Sequence, residues 1–494
     1  MNSLDKQLSI AFKTLSIFCL CLLSARFINS ISFLEPLHVQ TGGAEDTSFI
    51  GIWFFKNGNF NYDHFLKFGV DIENSNIFSL FHYNWLFYTL NALSVNLFQF
   101  IFDLNDLWIP TIVRITCFIL SLFCVFVYYK SLNQLNKSDL SFFLSLYLFL
   151  GPLTGYWVIS GKPDIFYIFF ETFAIYLILK TINKQNIKNV IIITFVLYLS
   201  WSVKQNSIVT ISSFALFLLW RRNLKLFFIL FFEFLLLLIL TKIFGPNKLF
   251  ESIFWQGGSA LSFNFQHFLN VFLDSVSKGL VIYFGLVCFF LNLISKKHPY
   301  KYLKSLNSSK IFLFIGTILS TSQIFFSFHY GSAVNYYYIF FIYAFLFLHS
   351  EIKNFLIIKK IKIIFILGIY LQIILILFIF LGLKGSVTPI RYLNIPEFKN
   401  CVKNMPSPIL SDHKPYYRLP WITPDGNPIL RTMMYENFTK NTNLKDAPLY
   451  KAVKNGEFKT LILSNPQKYN LKNYKFLKNC KSLKNMNVKI YLKN

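Results

Sequence analysis

Charge is what this sequence has least of. Of its 494 residues only 14% are charged, and acids are the scarcer sign, 22 against 48 lysines and arginines. Set beside 54% hydrophobic and 19% aromatic content, this excludes an ordinary soluble domain, because the apolar residues fall in runs too long for a soluble core. Cysteine is also sparse. The seven (19, 21, 117, 124, 288, 401 and 480) show no metal-ligand spacing, which excludes a zinc-type scaffold. Five of them sit in apolar stretches, where a structural role is the default. Cys401 and Cys480 both lie in the tail, where they could pair in an oxidising compartment. No small-residue cleavage site follows the apolar segment Leu8 to Ile28, so a retained first helix is expected instead of a signal peptide.

What is present is membrane-like. Leu224 to Ile243 carries only Lys225, Glu233 and Lys242, and a run of about 20 such residues spans a bilayer. The net charge of +26 invites a nucleic-acid reading, which fails on two grounds. Lys, Asn, Ile and Phe (61 Phe) are inflated together, as AT-rich coding produces, and the basic residues fall where membrane topology wants them. No nucleic-acid partner is expected.

Besides the first helix, spans are expected at about 107–129, 139–158, 163–181, 187–203, 205–220, 224–243, 277–295, 310–328, 335–350 and 361–383, eleven in all. With a cytoplasmic start, the cytoplasmic connections 130–139, 180–188, 221–225, 296–310 and 351–362 hold 17 Lys/Arg and two acids, Asp139 and Glu351. The opposite first loop, 30–106, holds Lys56 and Lys67 against eight acids. That is a strong positive-inside asymmetry. Counting Tyr83–Phe102 as a further span would invert it, so this segment is expected on the outer surface. The expected fold is an α-helical polytopic membrane protein over 1–384, with a small outer α/β domain over 385–494. Strand-like runs in that tail are Pro408–Ser411, Thr460–Leu463 and Val488–Leu492, alternating with helix-like Pro396–Met405, Leu430–Phe438 and Pro448–Asn455.

The same count gathers the polar clusters on the outer side. Thr41-Gly-Gly-Ala-Glu-Asp-Thr-Ser48 offers adjacent carboxylates, Glu45 and Asp46, suited to general-base work. Capping of a helix near Thr47 by Asp46 is the plainer alternative. Gly161-Lys162-Pro163-Asp164 marks a helix mouth, with Lys162 placed for a phosphate and Asp164 for capping, pairing or orienting a hydroxyl. Lys204-Gln205-Asn206 interrupts two apolar runs at a tight turn, where the lysine either holds an anion or snorkels. Arg114 adds a third cation, and three convergent cations suit a phosphate or pyrophosphate. The late segment His329-Tyr-Gly-Ser-Ala-Val-Asn335-Tyr336 joins the cluster. Glu171 and Glu233 lie inside spans and favour a transporter, yet no repeat symmetry accompanies them.

The order Glu-Asp, Lys-Pro-Asp, Lys-Gln and Gly-Ser-x-x-Asn-Tyr resembles bacterial GT-C glycosyltransferases, among them relatives of the protein mannosyltransferases and of the lipid A aminoarabinose transferases. The tail stretches Ile409-Leu-Ser-Asp-His413 and Gly456-Glu-Phe-Lys-Thr-Leu-Ile-Leu463 are similar to the outer domain that some members append. The resemblance implies sugar transfer from a polyprenyl-phosphate donor to a glycan, lipid or protein acceptor, at the periplasmic face of a bacterial inner membrane. It places the base on Asp46 or Glu45, and the order Glu-Asp, where many members read Asp-Glu, leaves both open. Substrate contacts are expected from Arg114, Lys162, Asp164, Lys204, Gln205, His329, Asn335 and Tyr336. Some members use a divalent metal and others do not; no His/Asp cluster here decides between them. A secondary transporter and a non-catalytic envelope scaffold are the competing expectations.

Overall fold

Asparagine starts several of the helices. Asn186, Asn223 and Asn307 each accept from the backbone N–H three residues on, Asn189 at 2.9 Å, Leu226 at 3.3 Å and Lys310 at 3.0 Å. Each thereby satisfies a donor the helix itself leaves unpaired. All three caps fall in or beside basic connections. The computed structural model describes residues 3–31, 44–58, 60, 83–151, 160–205, 207–246, 249–250, 263–294, 302, 305–328, 334–355, 359–382, 395–412, 421–423, 425–426, 429–431, 448–483 and 486–494.

The helical part comprises α1 (Ser3–Ile31), α2 (Ala44–Lys56), α3 (Trp85–Phe102), α4 (Ile109–Leu135), α5 (Ser141–Leu150), α6 (Asp164–Thr181) and α7 (Ile187–Val203). It continues through α8 (Val209–Trp220), α9 (Leu224–Phe244), α10 (Phe265–Ile294), α11 (Ser308–Ile324), α12 (Tyr338–Phe355) and α13 (Lys359–Gly382). A helix stands at every segment expected to span. By length and composition six described helices could cross a membrane, and α3, expected on the outer surface, is one of them. The figure of eleven crossings therefore remains an expectation from charge placement. Helix α10 begins a dozen residues before the expected 277, and Asp274 and Lys278 pair at 2.6 Å one turn apart within it. It bends at Gly279, whose φ/ψ leave the helical region. In α9 most large apolar side chains point outward, including Phe228, Phe231, Phe232, Leu235, Leu236, Ile239 and Ile243. A helix apolar all round yet uncovered by protein is one that faces lipid.

Helices α2 and α3 are fixed to this bundle through one carboxylate. Asp106, just before α4, accepts from Trp53 Nε1 of α2 at 2.9 Å and Gln99 Nε2 of α3 at 3.1 Å, and pairs with Lys56. The polar positions of Trp85–Phe102 thus face neighbouring protein as well as lipid. At the centre of the bundle, Gly316 of α11 meets the Tyr343 ring of α12 so closely that a Cβ would lie 2.1 Å from it.

The tail folds into helices α14 (Ile395–Val402) and α15 (Pro448–Lys454) and a five-stranded sheet in the order β2-β1-β3-β5-β4. The strands are β1 (Ile409–Ser411), β2 (Ile429–Arg431), β3 (Thr460–Leu463), β4 (Tyr474–Leu483) and β5 (Met486–Lys493). β1 runs parallel to β2 and β3, and β5 antiparallel to β3 and β4. Strand alternation divides the apolar residues between two faces. Ile409, Ile429, Ile462, Val488 and Ile490 pack with Phe398 and Val402 of α14, while Leu410, Leu461 and Leu463 join the core shared with the helices. Cys401 and Cys480 form a disulfide, Cα to Cα 6.1 Å, tying α14 to β4. Two expectations for the tail change. Residues 430–431, read as the start of a helix, are strand β2, and β4 was missed because its lysines hide the alternation.

Candidate active site

Three of the expected motifs are short turns at helix ends, and the bundle brings those ends to one mouth. Helix α2 starts at Ala44, so Glu45 and Asp46 occupy its first turn and Asp46 does not cap a helix at Thr47. Carboxylates in a first turn suit the positive end of the helix dipole. The Asp46 side chain lies outside the described residues, as do His329 and Asn206. The Glu45 side chain is fully buried and accepts from both prongs of Arg114, Nε to Oε1 at 3.1 Å and Nη2 to Oε2 at 3.0 Å. A third donor, the backbone N–H of Gly161, reaches Glu45 Oε1 at 2.8 Å. Arg114 also donates from Nη1 to the Ser30 carbonyl at 3.1 Å and lies 5.5 Å over the Phe49 ring. This fork-on-fork pair joins the end of α1, the start of α2, the start of α4 and the turn before α6.

Glycine is required at 161. A Cβ there would lie 2.4 Å from Phe49 Cε1 and 3.3 Å from Val113 Cγ1, so any side chain would push α2 off the turn. Three residues on, Asp164 opens α6 behind Pro163 and makes no capping bond. Its Oδ1 instead takes Lys204 Nζ at 2.6 Å and Asn335 Nδ2 at 3.0 Å. Lys204 ends α7 and sits between two rings, 5.0 Å from the Tyr167 centroid and 5.6 Å from that of Tyr336. Lys162 lies between the two ion pairs and is only 2% exposed. Gln205 is half-buried beside Lys204. All the described residues among those expected from the sequence therefore sit at this mouth or next to it.

Several neighbours had no sequence signal of their own. Tyr167 is one helical turn beyond Asp164 and points its hydroxyl at the Asn335 carbonyl, 3.5 Å away. Its i, i+3 spacing from Asp164 was the available clue. The Tyr83 hydroxyl is pushed well above its ordinary pKa by burial first and then by Asp164, Tyr88 and Tyr336, so it stays a neutral hydroxyl near the carboxylate. Trp421, in the tail, is buried to 1% exposure and meets Phe49 edge-on at 6.3 Å between centroids. Only the folded tail could have placed it there.

The mouth holds two buried, hydrogen-bonded charge pairs walled by Phe49, Tyr83, Tyr167, Tyr336 and Trp421. Arg114–Glu45 is closed on all sides. Lys204–Asp164 lies among the aromatic residues, the ammonium held by one carboxylate and standing over the Tyr167 and Tyr336 rings. No group of three His, Cys, Asp or Glu side chains gathers among the described residues.

Residues 76–247, which include Arg114, Gly161 to Asp164 and Lys204, match the family model of the dolichyl-phosphate-mannose-protein mannosyltransferases. No curated protein matches the chain. Among solved structures it is similar to ArnT of Cupriavidus metallidurans, crystallised bound to undecaprenyl phosphate, with 12% identity over 96% of this chain and 97% of that one and a TM-score of 0.57. It is also similar to the oligosaccharyltransferase AglB of Archaeoglobus fulgidus, in complex with an inhibitory peptide and a dolichol-phosphate, with 12% identity, 75% and 55% coverage and a TM-score of 0.43. The fold is shared with ArnT over nearly all of both chains.

Proposed function

We propose that this chain, which carries the GT-C fold, transfers a sugar from a polyprenyl-phosphate donor to an acceptor at the extracytoplasmic face of the membrane. One observation supports this most: the carboxylates and cations of distant turns meet at a single aromatic-walled mouth of the bundle. In this reading the acceptor O–H attacks the anomeric carbon and the bond from that carbon to the phosphate oxygen breaks. The oxygen keeps the electron pair, and the proton passes to a carboxylate.

Asp46 is the base in this proposal. Glu45 has both oxygens engaged, by the two prongs of the Arg114 guanidinium and by the Gly161 N–H, which suits a positioning role. Glu45 and Arg114 then act as positioning groups that fix the first turn of α2 and with it the direction of Asp46. Lys204 and Lys162 are the cations that stabilise charge on the departing phosphate. Lys204 keeps Asp164 on one side and meets the phosphate on the other. Asn335 holds Asp164 in place, and Tyr167 in turn bonds the Asn335 carbonyl.

The decisive measurement is twofold. Lys204→Ala in purified full-length protein should weaken undecaprenyl phosphate binding by about 10–100-fold, the worth of one charge-assisted contact. Asp46→Asn should bind the same lipid normally yet fail to transfer sugar. Wild-type lipid affinity in Lys204→Ala would overturn the assignment of the mouth. Facilitated solute flux in proteoliposomes, without any sugar transfer, would favour the transporter.

A further inference from the structure

Beneath Lys204 the chain closes a small ring of hydrogen bonds. The Lys204 backbone N–H donates to the Ser200 carbonyl at 3.1 Å, and the Lys204 carbonyl accepts from the Ser207 N–H at 3.1 Å. The Ser200 and Ser207 hydroxyls are bonded to each other, so the two ends of the turn meet below the lysine. Both hydroxyls also converge on a single acceptor, Glu171 Oε1, Ser200 at 3.1 Å and Ser207 in a shorter contact. The single Ser200 proton is shared between Glu171 Oε1 and the Tyr167 carbonyl, also 3.1 Å away, and Tyr167 is the ring under Lys204. Glu171 lies two turns below Asp164 on the same face of α6 and is 1% exposed. One helix therefore supplies both the partner of the Lys204 ammonium and the anchor of its backbone.

We infer that Glu171 is a positioning residue: its carboxyl clamps Ser200 and Ser207 and so sets where the Lys204 ammonium stands relative to the donor phosphate. The inference rests on Lys204 being the phosphate-binding cation proposed above. A long lysine side chain has four rotatable bonds, and freezing its backbone and stem removes entropy that would otherwise oppose each contact. The clamp needs an acceptor of the right length at 171. It does not need a negative charge. An intramembrane acid that merely looks like a transport group thereby acquires a role in the one-sided site.

The test compares undecaprenyl phosphate binding to purified full-length variants in detergent. Glu171→Leu removes the acceptor and should weaken binding about tenfold, a large part of what loss of one charge-assisted contact costs. Glu171→Gln keeps an acceptor oxygen in the same place and should restore affinity to within about twofold, since no charge is needed. Added to Lys204→Ala, Glu171→Leu should bring no further loss, the signature of two residues acting through one contact. If Glu171→Leu does not insert stably, the Ser200→Ala/Ser207→Ala double variant removes the same two bonds and carries the same expectation. A Gln variant as weak as the Leu variant would overturn the inference, because the charge would then matter. So would losses that multiply with that of Lys204→Ala, or normal affinity in Glu171→Leu while Lys204→Ala is impaired. This last result would leave the proposed function standing. Normal affinity in Lys204→Ala itself would remove both.

Discussion

Neighbouring carboxylates at the start of α2 meet different fates, and substitution should separate them. Asp46→Asn keeps size and first-turn position, and asparagine serves a helix start about as well as aspartate, so the variant should melt like the wild type. Its sugar transfer should fall by about 10²–10⁴-fold, the usual contribution of a general base. Glu45→Ala should behave in the opposite way. It strands the Arg114 guanidinium in a buried site, which costs about 3–5 kcal/mol and should show as a lowered melting temperature in detergent. An Asp46→Asn variant with full activity would move the base elsewhere. Gly161→Ala is the third informative change, because the new methyl would lie 2.4 Å from Phe49. It should lower both stability and transfer. Which residue types would gather was legible in the chain. Which pairs with which was not, because Glu45 finds Arg114 and Asp164 finds Lys204 only after helices far apart in sequence have packed.

At the level of elements, the long apolar runs declared themselves, since about 20 such residues have few other uses. The short pieces did not. Residues 430–431 join a sheet because β1 offers them a parallel edge, and nothing local demands it. Strand β4 reads Tyr-Lys-Phe-Leu-Lys-Asn-Cys-Lys-Ser-Leu, polar enough to pass for a loop until β5 pairs with it. One local signal was accurate: both tail cysteines stood apart from the apolar spans, and they are joined. A Cys401→Ser/Cys480→Ser double variant should lose about 2–5 kcal/mol of stability in the tail, the usual worth of a native disulfide in a small domain. Limited proteolysis should then cut between α14 and β5 while the helices stay intact. A tail equally resistant with and without the disulfide would mean that the sheet's two apolar faces suffice.

For the whole molecule, the basic connections and the acidic first loop predict a sidedness that labelling can read. Single cysteines at 164 and 204 should react with a membrane-impermeant reagent only after the mouth is opened to the outer side. Cysteines at 222 and 310 should react from the inner side. Labelling of 204 and 310 from the same face would refute the alternation of crossings. The tail is part of the same body, because Leu410, Trp421, Tyr450 and Leu461 belong to the apolar core that runs through the helices. Trp421→Ala should therefore weaken transfer while the disulfide still forms, and equal activity would make the tail an appendage. The edge-on contact of Trp421 with Phe49 also has a consequence in time. A ribosome makes Phe49 372 residues before Trp421, so the wall of the mouth waits for the later residue. Chains stalled before 421 should already be threaded through the bilayer yet still be silent. Growth of the nascent polypeptide thus doubles as a timer, and a copy stalled between Phe49 and Trp421 has no finished mouth.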